Sequence, residues 1–179
     1  MAILNIPNAL TVSRIVLIPA FITCAIYAEH RLALIIFAIA AVTDLLDGFF
    51  ARLTNQRTQL GTFLDPLADK LLLVSSFIIF AVYGWIPVWL AITVISRDII
   101  VVAGWVLLTL VTRNATVEAV RLGKAAIALQ LITLAYVLLR LNIPSFPPLH
   151  IVIYPATAAL TAVSGLQYVY RGVASSHGA

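Results

Sequence analysis

Residues 44–70 read DLLDGFFARLTNQRTQLGTFLDPLADK, and they hold four of the seven acidic residues of this 179-residue chain. Only 10% of all residues are charged, so the cluster stands out from its surroundings. A carboxylate is costly to bury in an apolar environment unless it has a partner, and a cluster of them therefore needs a physical reason. The four residues are Asp44, Asp47, Asp65 and Asp69.

The sequence on either side of this stretch is predominantly apolar. Hydrophobic residues make up 63% of the chain, and its mean hydropathy of +1.08 lies outside the range of soluble domains. Six apolar windows are each long enough to cross a hydrocarbon core of about 30 Å as a helix. The sequence therefore predicts an all-α, polytopic membrane bundle of six transmembrane helices. The windows cover residues 8–28, 31–53, 61–83, 86–111, 117–141 and 149–171.

The segments between the windows are too short to hold a second domain, which predicts a single transmembrane domain over residues 1–179. The first window is interpreted as an ordinary span, since no cationic stretch precedes it and it contains Arg14. Cys24 is the only cysteine, so neither an intrachain disulfide nor a cluster of thiolate metal ligands is possible.

The distribution of positive charge predicts the orientation in the membrane. Segments on the side of the two termini carry most of the cations, and the positive-inside rule assigns that side to the cytoplasm. The acidic stretch is then expected to open toward the cytoplasm. Because the cations are dispersed over helix ends, their expected partners are membrane lipids and not nucleic acid. They are Arg52, Arg57, Arg113, Arg121, Lys124 and Arg171, against Arg31 and Arg140 on the other side.

Helical spacing arranges the aspartates on two stripes. Asp44 and Asp47 are three residues apart on the second predicted helix, and Asp65 and Asp69 are four apart on the third, so each pair shares one helix face. Neighbouring helices with a short connection are antiparallel, and the two stripes are expected to face each other across a polar cavity. Clustered carboxylates without cysteines favour hard divalent cations, Mg²⁺ or Mn²⁺. The pattern predicts a site for two such ions.

Small residues accompany the aspartates on the same stripes. Gly48, Ala51 and Gly61 are expected to keep the space between the helices open for a phosphate-bearing ligand, although small residues also serve close helix packing in membranes. Arg52 offers a planar guanidinium to a diphosphate. Paired metals beside such a pocket favour an in-line displacement at phosphorus on a lipid substrate.

The spacing of these residues resembles a known family. Together they reproduce the pattern D-x2-D-G-x2-A-R-x8-G-x3-D-x3-D, which is similar to the signature of the CDP-alcohol phosphatidyltransferases. The opening NIPNALTVSRIVLIP is also like that of many bacterial members, and the family has six transmembrane helices. The residues that carry the pattern are Asp44, Asp47, Gly48, Ala51, Arg52, Gly61, Asp65 and Asp69.

The resemblance implies that a phosphatidyl group is transferred from CDP-diacylglycerol to an alcohol, with release of CMP. It further implies that the four aspartates bind two divalent cations and that Asp69 is the general base that takes the proton of the acceptor hydroxyl. It also implies a homodimer in the bacterial inner membrane, with the active site facing the cytoplasm. The CDP site would include Asp44, Gly48, Ala51, Arg52 and Gly61.

The identity of the acceptor alcohol depends on features outside the signature. The segments NIPN, GTFLDPLADKLL and Gly123-Lys124 are most similar to family members that use glycerol 3-phosphate, whereas ISRD (95–98) and TDLLDGFFAR (43–52) are similar to members that use phosphatidylglycerol. Inositol phosphate and serine are further alternatives. The cations predicted to bind a phosphorylated acceptor are Arg97, Arg113, Arg121 and Lys124.

Two alternatives to these interpretations stay open at this point. Arg97 is too deep in the fourth window to be solvated, and it is either an acceptor ligand or half of an internal ion pair with Asp98. A small ion-coupled transporter would also carry buried charges. A transporter would not require the Asp-Gly-x-x-Ala-Arg cluster, and the other half of the chain has no inverted copy of the acidic stretch.

Overall fold

The computed structural model describes the backbone of residues 6–54, 59–112 and 121–176, and the side chains of residues 13–43, 70–104 and 122–171. Within these ranges every regular element is an α-helix, which confirms the predicted all-α class. The helices are α1 (Ile6–Ile26), α2 (His30–Thr54), α3 (Gln59–Val82), α4 (Val88–Thr112), α5 (Arg121–Asn142) and α6 (His150–Ser176).

The helices coincide with the predicted windows to within a few residues, and the differences have local causes. The fourth window was predicted to start at residue 86, but α4 starts at Val88, because Pro87 has no amide hydrogen and suits the start of a helix. The predicted start of the fifth window, residue 117, lies outside the described residues. The sixth helix continues beyond the predicted residue 171 to Ser176.

The end of α3 is fixed by a Schellman motif. Gly84 adopts a left-handed conformation with φ of 70°, and its amide donates to the Ala81 carbonyl oxygen at 3.1 Å. The Trp85 amide donates to the Phe80 carbonyl oxygen at 2.8 Å, and the rings of these two residues are 5.2 Å apart between centroids. These two hydrogen bonds and the ring contact are the features that define this helix stop.

The end of α1 has the same hydrogen bonds without a glycine. Ala28 adopts φ of 59°, and the Glu29 amide donates to the Cys24 carbonyl oxygen at 2.9 Å. A side chain in this left-handed region costs about 1–2 kcal/mol. The motif ends α1 at Ile26, two residues before the end of the predicted window, and lets α2 start at His30.

The first of two compact units comprises Met1–Ile79 and Ala135–Phe146. In it α1 packs against α2, and the rings of Phe21 and Phe37 meet with their centroids 6.0 Å apart. The end of α5 belongs to the same unit, since the Asn142 side-chain amide donates to the His30 carbonyl oxygen at 2.9 Å. This unit contains the acidic stretch.

The second compact unit comprises Phe80–Leu134 and Pro147–Ala179, and α4 packs against α6 in it. Two buried hydrogen bonds join α5 to α6: Gln130 Nε2 donates to Thr161 Oγ1 at 3.0 Å, and the hydroxyl oxygens of Thr133 and Thr157 are 2.7 Å apart. The later of the two residues on α5 contacts the earlier of the two residues on α6, so the two helices run antiparallel. Such hydroxyl and amide contacts are typical of helix interfaces in membranes.

Apolar side chains cover the outside of the described helices. On α6, for example, Ile151, Val152 and Leu166 are about 70% exposed, which is unfavourable in water but suits a lipid environment. Two described helical segments are long and apolar enough to cross a membrane: Leu122–Asn142 and His150–Arg171. The chain has the features of a membrane protein.

Candidate active site

The backbone of the acidic stretch is helical on both sides of residues 55–58. Asp44 and Asp47 lie on α2, and Asp65 and Asp69 lie on α3. The helical spacing assumed for each pair is therefore present in the backbone, and each pair occupies one face of its helix.

The side chains of this stretch lie outside the described part of the structure. The predicted facing of the two stripes, the metal site and the CDP site with Gly48, Ala51, Arg52 and Gly61 accordingly stay predictions. Among the described side chains, no three His, Cys, Asp or Glu residues gather into a candidate metal site. The donor set of the stretch still fits a hard divalent cation, because it consists of carboxylates at helical spacing on a confirmed helical backbone.

A second group of predicted site residues is described in detail around Arg97 on α4. The side chain of Arg97 is only 9% exposed. Its Nη1 donates to Asp98 Oδ1 at 2.8 Å, and its Nε donates to Ser164 Oγ at 3.2 Å. The Ser164 hydroxyl in turn donates to the Thr161 carbonyl oxygen at 2.8 Å. The ion pair with Asp98 that the sequence offered as one alternative is present.

Two glycines make room for the Arg97 side chain. A Cβ atom on Gly165 of α6 would lie 3.1 Å from Arg97 Cγ, and a Cβ atom on Gly123 of α5 would lie 3.2 Å from Arg97 Nη2. The aliphatic part of Arg97 therefore crosses α6 at Gly165, and its guanidinium reaches the first described turn of α5. Larger residues at these positions would displace it.

The free edge of this guanidinium lies next to a second predicted acceptor residue. The hydrogen bonds of Arg97 within the described residues use Nε and Nη1, which leaves Nη2 beside Gly123 without one. Lys124 follows Gly123 and is exposed. A guanidinium edge and a nearby ammonium group are suited to binding a phosphate.

The remaining predicted acceptor cations are less well defined. Arg113 lies outside the described residues, and Arg121 is the first described residue of α5, with its side chain outside the described part. Their proposed contact with an acceptor therefore stays a prediction.

Sequence reasoning missed the residues on α6 that hold Arg97. Ser164 and Gly165 are uncharged, small and 67 or more residues away along the chain, and such residues are common in membrane helices for packing alone. The signal in the sequence was a polar residue at every third or fourth position along α6, at Thr157, Thr161 and Ser164, with Gly165 directly after the last of them.

Comparison with known proteins identifies the family. Residues 4–164 match the CDP-alcohol phosphatidyltransferase family. The chain belongs to this family. It is a CDP-alcohol phosphatidyltransferase by the same match, which includes the acidic stretch, Arg97 and Gly123 and ends one residue before Gly165.

Several relatives are similar over nearly their whole length. A protein of Bacillus subtilis named CDP-diacylglycerol--glycerol-3-phosphate 3-phosphatidyltransferase is 36% identical, over 92% of this chain and 93% of its own. A protein of Escherichia coli K12 with the same name has the same identity and coverage. A Mycobacterium tuberculosis protein named probable phosphatidylglycerophosphate synthase is 33% identical, over 96% of this chain and 83% of its own.

Proposed function

We propose that this phosphatidyltransferase uses glycerol 3-phosphate as its acceptor and is a phosphatidylglycerophosphate synthase. The observation that carries the proposal is the end-to-end similarity to relatives named for that reaction, at 33–36% identity. The guanidinium edge of Arg97 next to Gly123 and Lys124 supports it from the structure, because an acceptor that carries a phosphate needs cations beyond those at the donor.

In the proposed reaction, the acceptor hydroxyl oxygen attacks the phosphorus that bears the diacylglycerol. A new bond forms between that oxygen and phosphorus, and the bond from the same phosphorus to the bridging oxygen of CMP breaks. Asp69 takes the proton of the hydroxyl as general base. CMP leaves with the electron pair of the broken phosphorus–oxygen bond, and the proton of the acceptor hydroxyl stays on Asp69.

Asp44, Asp47, Asp65 and Asp69 are the residues proposed to hold two divalent cations, Mg²⁺ or Mn²⁺. Bound there, the cations would neutralise the diphosphate and aid the departure of CMP. The protein itself is proposed to orient the donor through Arg52, whose guanidinium suits a diphosphate, while Gly48, Ala51 and Gly61 leave room for the CDP moiety.

The proposed setting is a single domain of six membrane spans in the bacterial inner membrane, with the polar cavity open to the cytoplasm. The helix lengths of 21 to 27 residues support six spans, since about 20 residues cross a bilayer. The excess of cations at one side supports the orientation. A homodimer is proposed from the family resemblance alone.

A panel of acceptors tests the proposal. Purified protein with CDP-diacylglycerol and Mg²⁺ or Mn²⁺ is incubated with glycerol 3-phosphate, phosphatidylglycerol, inositol phosphate or serine, and CMP release and the lipid product are measured. We expect rapid release only with glycerol 3-phosphate. Activity with phosphatidylglycerol alone would instead assign a cardiolipin synthase, and metal-independent solute flux in vesicles without any CMP release would assign a transporter.

A further inference from the structure

The seam between α1 and α2 contains a buried arginine that the proposed mechanism does not use. The fully or nearly fully buried residues of α1 follow each other at alternating intervals of four and three, which is the spacing of a continuous helix-packing seam. In the order in which they run away from the turn, they are Ala25, Phe21, Ile18 and Arg14. Arg14 is 0% exposed.

The facing seam on α2 has the same intervals in the opposite direction. Its buried residues, again in order away from the turn, are Ala33, Phe37 and Ala40. The ring contact between Phe21 and Phe37 fixes the alignment of the two helices. Because the helices form an antiparallel hairpin, each step back along α1 is matched by an equal step forward along α2.

This alignment pairs Arg14 with Asp44. Arg14 is seven residues before Phe21, and Asp44 is seven residues after Phe37. Seven residues are about two turns, or roughly 10.5 Å, so both positions return to the faces on which the two rings meet. Residue 44 is also the position at which the next interval of four would continue the α2 seam beyond Ala40.

The charge of Arg14 gives an independent reason for this pairing. A fully buried guanidinium requires an anionic partner, since an uncompensated buried charge is strongly destabilising. The α1–α2 hairpin has three acidic residues, Glu29, Asp44 and Asp47. Glu29 is exposed and lies beyond the end of α1 at Ile26, which is itself 12 residues, or roughly 18 Å of helix, from Arg14. Asp47 lies about one turn beyond the aligned position.

We propose that Arg14 and Asp44 form an ion pair buried between α1 and α2, in which Arg14 compensates the charge of the first aspartate of the acidic stretch. The pair compensates the charge of the buried Arg14 guanidinium at the α1–α2 interface. It also adds a permanent positive charge beside the carboxylates, which reduces their repulsion when no cation is bound. The pairing does not depend on the proposed function, whereas its consequence for cation binding rests on it.

A double-mutant cycle tests the pair. Arg14→Gln, Asp44→Asn and the double variant are purified in detergent, and their Tm is measured in EDTA without substrate. We expect Arg14→Gln to lower Tm by about 10 °C, as for breaking a buried pair in a chain of this size. The double variant should recover at least half of that loss, because it leaves no uncompensated charge.

Two controls belong to the same cycle. Arg31→Gln removes an exposed cation from the same hairpin and should shift Tm by no more than about 2 °C. Asp47→Asn combined with Arg14→Gln should recover less than half of what Asp44→Asn recovers. A double variant whose shift equals the sum of the two single shifts, or equal recovery by Asp47→Asn, would overturn the assignment.

The outcome stays decisive if Arg14→Gln fails to fold. A folded Arg14→Gln/Asp44→Asn protein then supports the pair, and an unfolded one overturns it.

The effect of Arg14 on cation binding is measured as the rise in Tm between EDTA and saturating Mg²⁺. We expect this rise to be larger for Arg14→Gln than for the unmodified protein, and an equal or smaller rise would overturn the charge-balancing role while leaving the acceptor panel unaffected.

Discussion

Replacing Gly165 by alanine should weaken the use of glycerol 3-phosphate by moving Arg97. The added Cβ would lie 3.1 Å from Arg97 Cγ and 3.8 Å from Arg97 Cβ. Carbon atoms in contact prefer about 3.5–4.0 Å, so Cγ has to move by about 0.4 Å or more. The guanidinium is three bonds further along the side chain and has to follow this movement.

The expected change in the KM for glycerol 3-phosphate follows from how far the Arg97 guanidinium is displaced. A misplacement of about 1 Å can cost on the order of 100-fold, so a shift of about half that size is expected to cost about 10-fold. We therefore expect the KM for glycerol 3-phosphate to rise about 10-fold, with the KM for CDP-diacylglycerol changed less than about 2-fold. Initial rates of CMP release, with each substrate varied at saturating levels of the other, measure both constants.

Gly104 provides the matched control. Its added Cβ would meet Cε1 of Tyr168 at 3.0 Å, an equally close contact between the same two helices, but one that does not involve Arg97. Both alanine variants should lose about 1–3 kcal/mol of stability from overpacking. Only Gly165→Ala should change the KM for the acceptor. An unchanged acceptor KM in Gly165→Ala, or the same rise in both variants, would refute the role of Arg97.

The other predictions concern the base, the helix ends and the α5–α6 interface. Asp69→Asn should reduce turnover at least about 100-fold, as for loss of a general base, yet retain binding of CDP-diacylglycerol measured by calorimetry; near-normal turnover would disprove the assignment. Ala28→Gly should stabilise the protein by about 1 kcal/mol and Gly84→Ala should destabilise it by a similar amount, because both positions are left-handed; thermal melts showing the same sign for both would contradict this. A double-mutant cycle of Thr133→Val and Thr157→Val should give a coupling of about 0.6 kcal/mol, typical of hydroxyl contacts between membrane helices; zero coupling would deny the observed 2.7 Å bond a role in stability.

The helices could be predicted from the sequence because a lipid bilayer restricts the backbone conformations that an apolar segment can adopt. A membrane-spanning segment has to satisfy its own backbone, so an apolar window of sufficient length is a helix. The ends were less predictable where they depend on a single backbone conformation. Ala28 ends α1 in a left-handed conformation that alanine rarely adopts, and no glycine or asparagine at this position predicts that helix end.

The candidate site was predictable where one helix carries the whole pattern. Asp44 and Asp47 are placed on one face by helical periodicity alone. The partners of Arg97 could not be predicted in the same way, since Ser164 and Gly165 come from a helix far along the chain and carry no charge. The sequence marks Arg14 only as a charge in the first predicted span, and its alignment with residue 44 follows from the contact between Phe21 and Phe37.

The bonds that Arg97 already makes limit what it can do for an acceptor. A guanidinium has five N–H groups, of which Arg97 uses one on Nε for Ser164 and one on Nη1 for Asp98. Since the Nε edge is occupied, a phosphate can be bound only through the remaining groups near Gly123. The carboxylate of Asp98 also offsets part of the positive charge of Arg97. One partly neutralised guanidinium is a weak basis for selecting a phosphate dianion over an uncharged alcohol, so a second cation is needed. Lys124 is the nearest predicted candidate along α5, and the selectivity proposed here therefore depends on both residues.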